Sequence, residues 1–370
     1  MRARFPLTGR LSDRTRGYVL FLSVAVLVLA VAPGVLDPFR LGLLAKYLCF
    51  AIAALGIGLA WGQGGMMTLG QGVFFGLGGY AMGMFLKLHD AGDGALPDFM
   101  VWSGVEELPA IWEPFRNPVI AMALVVVLPV TVAVLLGLLV FRQRVRGAYF
   151  AILSQALAAA FVIWLVGHQG LTGGTNGLTN FYDVFGMDPE EDSTQRVFYF
   201  VVAGVLGVLY LGARQLMKSR FGRLLIAIRD GEDRVRFLGY NPATVKTITF
   251  AVSAGMAGIA GALYVPVVGI ISPALLGVVP SLELVVAVAI GGRFALGGAV
   301  LGGVLMNWAH TTLSENWAEG WTYLQGGLFI LVIMLAPKGI VGLFRQLGDL
   351  RARRRSNPVK AVPVTEKVMV

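Results

Sequence analysis

The 370-residue chain is poor in the residues on which most catalytic and metal sites are built: it has one cysteine, three histidines, and only 14% charged residues. Cys49 stands alone, which excludes an internal disulfide and a thiolate metal centre. His89, His168 and His310 are far apart in sequence, and none belongs to an HExxH or other metal-ligand spacing. No GxxxxGK[ST] phosphate loop, GxSxG elbow or kinase signature set occurs. These absences lead us to expect no metal, no cofactor, no ATP site of this kind and no enzymatic activity.

Apolar material is abundant instead. Hydrophobic residues make up 56% of the chain, there are 49 glycines, and the mean hydropathy is +0.74. One globular core does not bury that much, so the composition predicts an all-α polytopic membrane protein. Apolar runs fall at 18–36, 41–60, 66–87, 118–140, 148–166, 197–213, 247–271, 282–312 and 322–336. Ala30 and Ala32 imitate a signal-peptidase site, but Pro33 follows directly, so 18–36 reads as a retained first span.

Charge orients these runs. Four clusters, Arg2 to Arg16, Arg142 to Arg146, Arg214 to Lys246 and Lys338 to Lys367, hold 24 of the 30 basic residues. The positive-inside rule puts all four in the cytoplasm, and with them both termini. The net charge of +9 is this bias, with Arg351 to Arg355 placed against anionic lipid heads, and it is not a nucleic-acid footprint. The loops 88–117 and 167–196 are acidic and face outward.

Parity then requires about eight full transmembrane helices plus a broken or re-entrant helical hairpin within 282–312, interrupted at GGRFALGG. That break reads either as part of a pathway or as a tight glycine-rich helix crossing. The resulting plan is a basic N-terminus (1–17), a transmembrane domain (18–345) and a basic tail (346–370). Residues 76–83 and 295–302, GLGGYAMG and ALGGAVLG, align by eye, as a remnant of a repeat or as convergent small-residue packing.

Polar residues inside apolar runs are the candidate translocation path: Gln63 and Gln71 flank a glycine-rich stretch that either dips into the membrane or turns in the cytoplasm, and Asn307 lies within the 282–312 run. Thr172 and Asn176, in the outer segment LTGGTNGLTNF, line an outer mouth or merely turn the chain. Glu283 is the one carboxylate placed within an apolar run. So few ionisable groups at membrane depth argue against proton coupling, and they favour a small neutral solute over an amino acid, which needs an apolar wall and partners for two charges.

The segment 214–246 is the most informative. Phe221, Leu224, Leu225, Ile228, Val235 and Leu238 recur at roughly helical spacing within a highly charged, water-facing stretch, the pattern of a helix offered to a cytoplasmic partner.

With the residues quoted, the chain resembles the LivM-type permeases, the membrane subunits of branched-chain amino acid ABC importers. The similarity lies in SRFGRLLIAIRDGEDRVRFLGYNPATVK followed by TFAVSAGMAGIAGALY, in TLGQGVFFGLGGYA at 68–81, TGGTNGLT at 172–179 and ISP at 271–273, and in GG followed by GGAVLGG at 291–303. Within that group it looks most like the larger permease of urea ABC importers, on LPDFMVWSGVEELPAIWEPF at 96–115 and TLSENWAEGWTYLQGGLFILVIMLAPKGIVGLF at 312–344. It departs from the pattern at Phe294 and Ala295, where relatives tend to have Gly and Thr.

The resemblance implies a bacterial inner-membrane protein that pairs with a second, homologous permease. Cytosolic ABC ATPases and an extracytoplasmic substrate-binding protein would complete the importer, and the cargo would be a small polar solute. It carries the ATPase-coupling role to Gly222, Ala227, Arg229, Glu232 and Gly239, with Leu225 and Ile228 filling a groove on the ATPase. Urea is the first substrate reading; a branched-chain amino acid or short amide is the alternative, and a free-standing urea channel the alternative of another class.

Overall fold

The computed structural model describes residues 27–316, apart from 93, 146 and 190, with ten further positions between 320 and 342. Both basic termini, residues 18–26 of the expected span 18–36 and most of the expected span 322–336 lie outside the described residues. A π-helical turn at Leu27–Val31 and a short helix at Ala32–Val35 lead into the bundle.

Nine long helices follow among the described residues. They are α1 (Pro38–Ile57, prolonged by a π-helical turn, Gly58–Gln63), α2 (Gln71–Ala91), α3 (Pro118–Arg142), α4 (Ala148–Gly167) and α5 (Asp192–Lys218), then α6 (Arg220–Phe237), α7 (Pro242–Val268), α8 (Val278–Gly291) and α9 (Leu296–Asn316). Their limits are set by local chemistry. Asn117 accepts from the Val119 and Ile120 amides and is followed by Pro118, which starts α3; Asn241 and Pro242 start α7 in the same way. Gly269, at φ 75°, stops α7 in a left-handed conformation that favours glycine.

Among the described residues, five helices are long and apolar enough to cross a membrane: α1 with its π-turn, α3, α4, α5 and α7. Of these α1 and α7 are mostly buried, whereas α3, α4 and α5 expose most of their apolar surface, as a lipid-facing layer does. The expected hairpin is present as α8, a turn at 292–295, and α9.

The centre is the contact of α2 with α7. A Cβ on Gly78 would overlap the Gly258 backbone, and one on Gly261 would overlap the Phe75 carbonyl, so the helices meet backbone to backbone. Phe50, Phe75 and Tyr264 pack beside this seam with ring centroids 5.4 to 5.6 Å apart. Glycines 291, 298 and 302 allow an equally close crossing of α8 and α9. Residues 76–83 lie in mid-α2 against α7, while 295–302 open α9 against α8, so what they share in the fold is small-residue packing.

Two crossings are interrupted at mid-depth. Gln71, the first residue of α2, donates to the Ser253 carbonyl at 3.0 Å, and Ser253 lies near the middle of α7. The segment 64–70 therefore climbs irregularly halfway through the bundle before α2 begins. The chain after α7 mirrors it. Ile270–Ile271 (β2) pairs with Leu178–Thr179 (β1), a 3-10 turn at Pro273–Leu276 descends, and α8 starts where the Gly72 amide donates to Ser281 Oγ at 3.1 Å. From this level α2 runs to the acidic end, where Gly83 meets Leu178 and Ile271. In the opposite direction α8 reaches the end that carries α6, where Arg293 meets Gly62. With 14 residues α8 spans about 21 Å, so it completes a crossing only together with the 3-10 segment.

At the acidic end the two loops are tied together. Lys87 Nζ lies 3.0 Å from Asp98 Oδ1 and donates to the Asn180 carbonyl, and Asp90 accepts from the Tyr182 and Asp183 amides.

Gly261→Ala should destabilise the α2–α7 seam by about 1–3 kcal/mol through overpacking. Gly204→Ala on α5, where nothing lies within 4 Å of the added Cβ, should be neutral or stabilising. Thermal unfolding of the purified variants in nanodiscs checks this; equal midpoints would contradict the seam.

Candidate functional site

The helix α6 lies across the basic end of the bundle between α5 and α7. Ser219 caps it by accepting from the Gly222 amide, and Gly222 is held against the Met217 backbone, where a Cβ has no room. Its apolar side turns inward: Leu225, Ile228 and Val235 are buried with Val245 of α7, and Met217, Phe221 and Leu224 pack around them. Leu225 and Ile228 thus anchor α6 to its own bundle, which corrects the expectation that they enter a groove on a partner. What α6 offers outward is Ala227, its charged face and an exposed apolar tip of Phe237, Leu238 and Tyr240 around Gly239 at φ 87°.

The two charged residues singled out in α6 also face its own chain. Glu232 Oε2 lies 2.5 Å from Lys246 Nζ on α7, and its other oxygen accepts from Arg236 Nη2 at 3.1 Å. Both Glu232 and Lys246 are only 11% exposed, and removing one partner of such a pair costs about 3–5 kcal/mol. Arg229 Nη1 donates to the Gly62 carbonyl at 2.9 Å, and its guanidinium lies 5.3 Å from the centre of the Phe294 ring.

The same corner collects the turn between α8 and α9. Gln63 Nε2 donates to the Phe294 carbonyl at 2.9 Å, and Arg293 lies 4.7 Å from the Phe294 ring and 5.1 Å from the Trp61 ring. The position where the sequence departs from the LivM-type pattern is therefore the ring that two guanidinium groups share. The break at 292–295 sits beside α6 at the end of the bundle rather than at mid-depth. Arg229 joins α6 to the end of α1 and to this turn, while Glu232 joins it to α7.

The five path candidates do not converge. Gln63 is in the corner just described. Gln71 is fully buried at the mid-depth start of α2, its Oε1 without a hydrogen bond among the described residues. Thr172 closes the end of α4 by donating to the Leu165 and His168 carbonyls, and Asn176 is exposed on the acidic-end turn. Asn307, on α9, lines a cavity.

That cavity, of about 300 Å³, opens between α1, α7, α8, α9 and the 3-10 segment. Lys46, Glu283, His310, Thr311, Ser314 and Glu315 supply polar groups to it, and Phe50, Leu275, Leu284 and Met306 supply apolar wall. His310 Nδ1 lies 3.5 Å from Glu283 Oε2. Lys46 was not singled out from sequence; the signal available was a lysine with no acidic companion inside the run 41–60. Charge at membrane depth is thus gathered in one place, contrary to the scarcity inferred from the sequence.

The family described as branched-chain amino acid transport system, permease component, matches residues 39–336. The chain is 27% identical over 352 residues to the high-affinity branched-chain amino acid transport system permease protein LivM of Escherichia coli strain K12, a match covering 88% of this chain and 75% of that protein. It is 28% identical over 151 residues to BraD of Pseudomonas aeruginosa, covering 40% of this chain and 48% of BraD. It is 30% identical over 125 residues to LivH of Escherichia coli strain K12, covering 34% of this chain and 40% of LivH. Both are named as permease proteins of the same kind of transport system. No solved structure matches the chain.

Arg229→Ala should free the corner without unfolding the bundle. Amide hydrogen exchange at 58–66 and 292–296 is expected to rise about tenfold for each roughly 1.4 kcal/mol lost, with the centre of α7 unchanged. Unchanged exchange at both segments would remove the link assigned to Arg229.

Proposed function

This chain belongs to the permease-component family of branched-chain amino acid transport systems, and from that membership we propose that it is one membrane-spanning half of an ATP-driven ABC importer in the bacterial inner membrane. It is a multi-pass transport subunit and not an enzyme. A second, homologous permease completes the path, cytosolic ATPases dock on the α6 side, and an extracytoplasmic binding protein delivers substrate at the acidic end. In this reading α6 and both termini are cytoplasmic, and about eight full crossings accompany the α8–α9 hairpin. The pairing is supported by the similarity to both LivM and LivH.

The observation that carries the mechanism is the way α6 is held. Its inner side is fixed to α7 by Glu232–Lys246 and to the α1 end and the α8–α9 turn by Arg229, while Phe237, Leu238 and Tyr240 remain exposed. Closure of the ATPases beneath α6 would be felt at both attachments together, one on each arm of the bundle. Such a device turns a rigid-body displacement into alternating exposure of a central site.

The substrate we propose is a branched-chain amino acid. The urea reading has no support in the relatives above, which are all named as branched-chain amino acid permeases. Its physical premise, too few charges within the membrane, is overturned by the cavity that joins Lys46 and Glu283 to an apolar wall.

The reconstituted importer, with both permeases, ATPases and binding protein in proteoliposomes, should take up radiolabelled leucine only with ATP. ATP-dependent uptake of urea in its place would overturn the substrate, and uptake independent of ATP would overturn the importer. Phe237→Ser combined with Leu238→Ser should abolish co-purification of the ATPase while the two permeases remain paired; full retention would move the docking site off the α6 tip.

A further inference from the structure

We propose that the cavity between α1, α8 and α9 is the subsite at which this permease recognises the two charged ends of its cargo. Lys46 takes the carboxylate of a zwitterionic amino acid, Glu283 takes its ammonium, and Phe50, Leu275, Leu284 and Met306 enclose an aliphatic side chain. The assignment rests on the amino acid reading above and names the residues that read it.

A lysine and a glutamate at membrane depth are retained where each has a partner or faces a polar cavity. Glu283 has His310 at 3.5 Å. Lys46 makes no hydrogen bond or ion pair to any described residue, although it faces the same cavity as Glu283. The site therefore presents an unengaged cation and two carboxylates, Glu315 near the end of α9 and Glu283 on α8 with remaining acceptor capacity, around an apolar wall.

A neutral diamide such as urea gains little from separated opposite charges, whereas an α-amino acid satisfies both at once and places its side chain on the wall. The volume of about 300 Å³ lies at the small end of the range for small-molecule sites and suits one amino acid rather than a peptide. Because the cavity is formed by α1, α8 and α9, it is bounded by the same helices whose ends Arg229 ties to α6. Movement of the α8–α9 turn would shift Glu283 relative to Lys46 and so loosen the grip on cargo, as a site that must release its ligand requires.

The test places a reporter inside the cavity and leaves both charges in place. Thr311→Cys is made in a Cys49→Ala background, so that the chain carries one cysteine, and the full importer is placed in nanodiscs and treated with a small methanethiosulfonate reagent. Leucine should slow labelling, whereas leucinamide, 4-methylpentanoate and urea should not. Adding Lys46→Met or Glu283→Gln should abolish the protection by leucine and lower leucine uptake by about tenfold or more, as loss of a charged partner does. Lys46→Arg and Glu283→Asp should retain most of both. Co-purification with the second permease reports whether each variant still assembles.

If the parent importer transports leucine yet leucine gives no protection, or the neutral variants transport within twofold of the parent, this inference fails by itself. In that case Lys46 pairs instead with the second permease or with a lipid phosphate. If the parent importer transports no amino acid, the substrate reading falls and carries this inference with it.

Discussion

The fold is governed by the requirement that backbone polar groups inside a membrane be satisfied by the protein. Two helices of this chain begin halfway through the bundle, and each leaves its first amides without intrahelical partners. The structure answers with serines: Ser281 receives the Gly72 amide, Ser154 receives the Leu69 amide, and Ser253 receives the Gln71 side chain. These few contacts bring α2, α4, α7 and α8 to a common level. Glycine supplies the close approach that makes them reachable, since Gly70 packs on the Ser154 backbone and Gly72 on the Leu276 carbonyl.

Much of this was legible in the sequence. Apolar runs located α1, α3, α4, α5 and α7 within a few residues because each is a continuous apolar helix, with a prolyl or acidic start in all but α4, which begins after Gly147. The Gln63 to Gly72 stretch announced an interruption through amides and glycines. The second interruption was half visible: the gap between the runs 247–271 and 282–312 marks where one helix stops and another starts, with Gly269, Pro273, Gly277 and Pro280 inside or beside it. Hydropathy does not register that the chain descends through this gap to mid-depth before α8 begins. The visible break, GGRFALGG, proved to be a turn at the end of the bundle.

The site was less legible than the fold, for a reason of geometry. Arg229 and Glu232 could be picked out by pattern, but the direction in which they point is a tertiary fact: both reach back to their own bundle, as do Leu225 and Ile228. Polarity within a span was a poor guide to lining. Thr172 spends its hydroxyl on helix carbonyls, and Gln63 spends its amide on the Phe294 carbonyl, whereas Lys46 passed unnoticed although it faces a cavity. A residue's chance of meeting a solute depends on which neighbours have already claimed it, and one chain read in order does not reveal that.

The opposed starts of α2 and α8 also bear on ion leakage. Each helix presents the positive end of its dipole at mid-depth, and the two ends face a common point near Gly72 and Ser281. Positive helix ends of this kind disfavour a bare proton or sodium ion and tolerate a carboxylate. An importer must open a route for its cargo many times without discharging the gradients across the same membrane. Were that route to pass this point, the insulation against cations would lie in the backbone and persist whichever side chains line it.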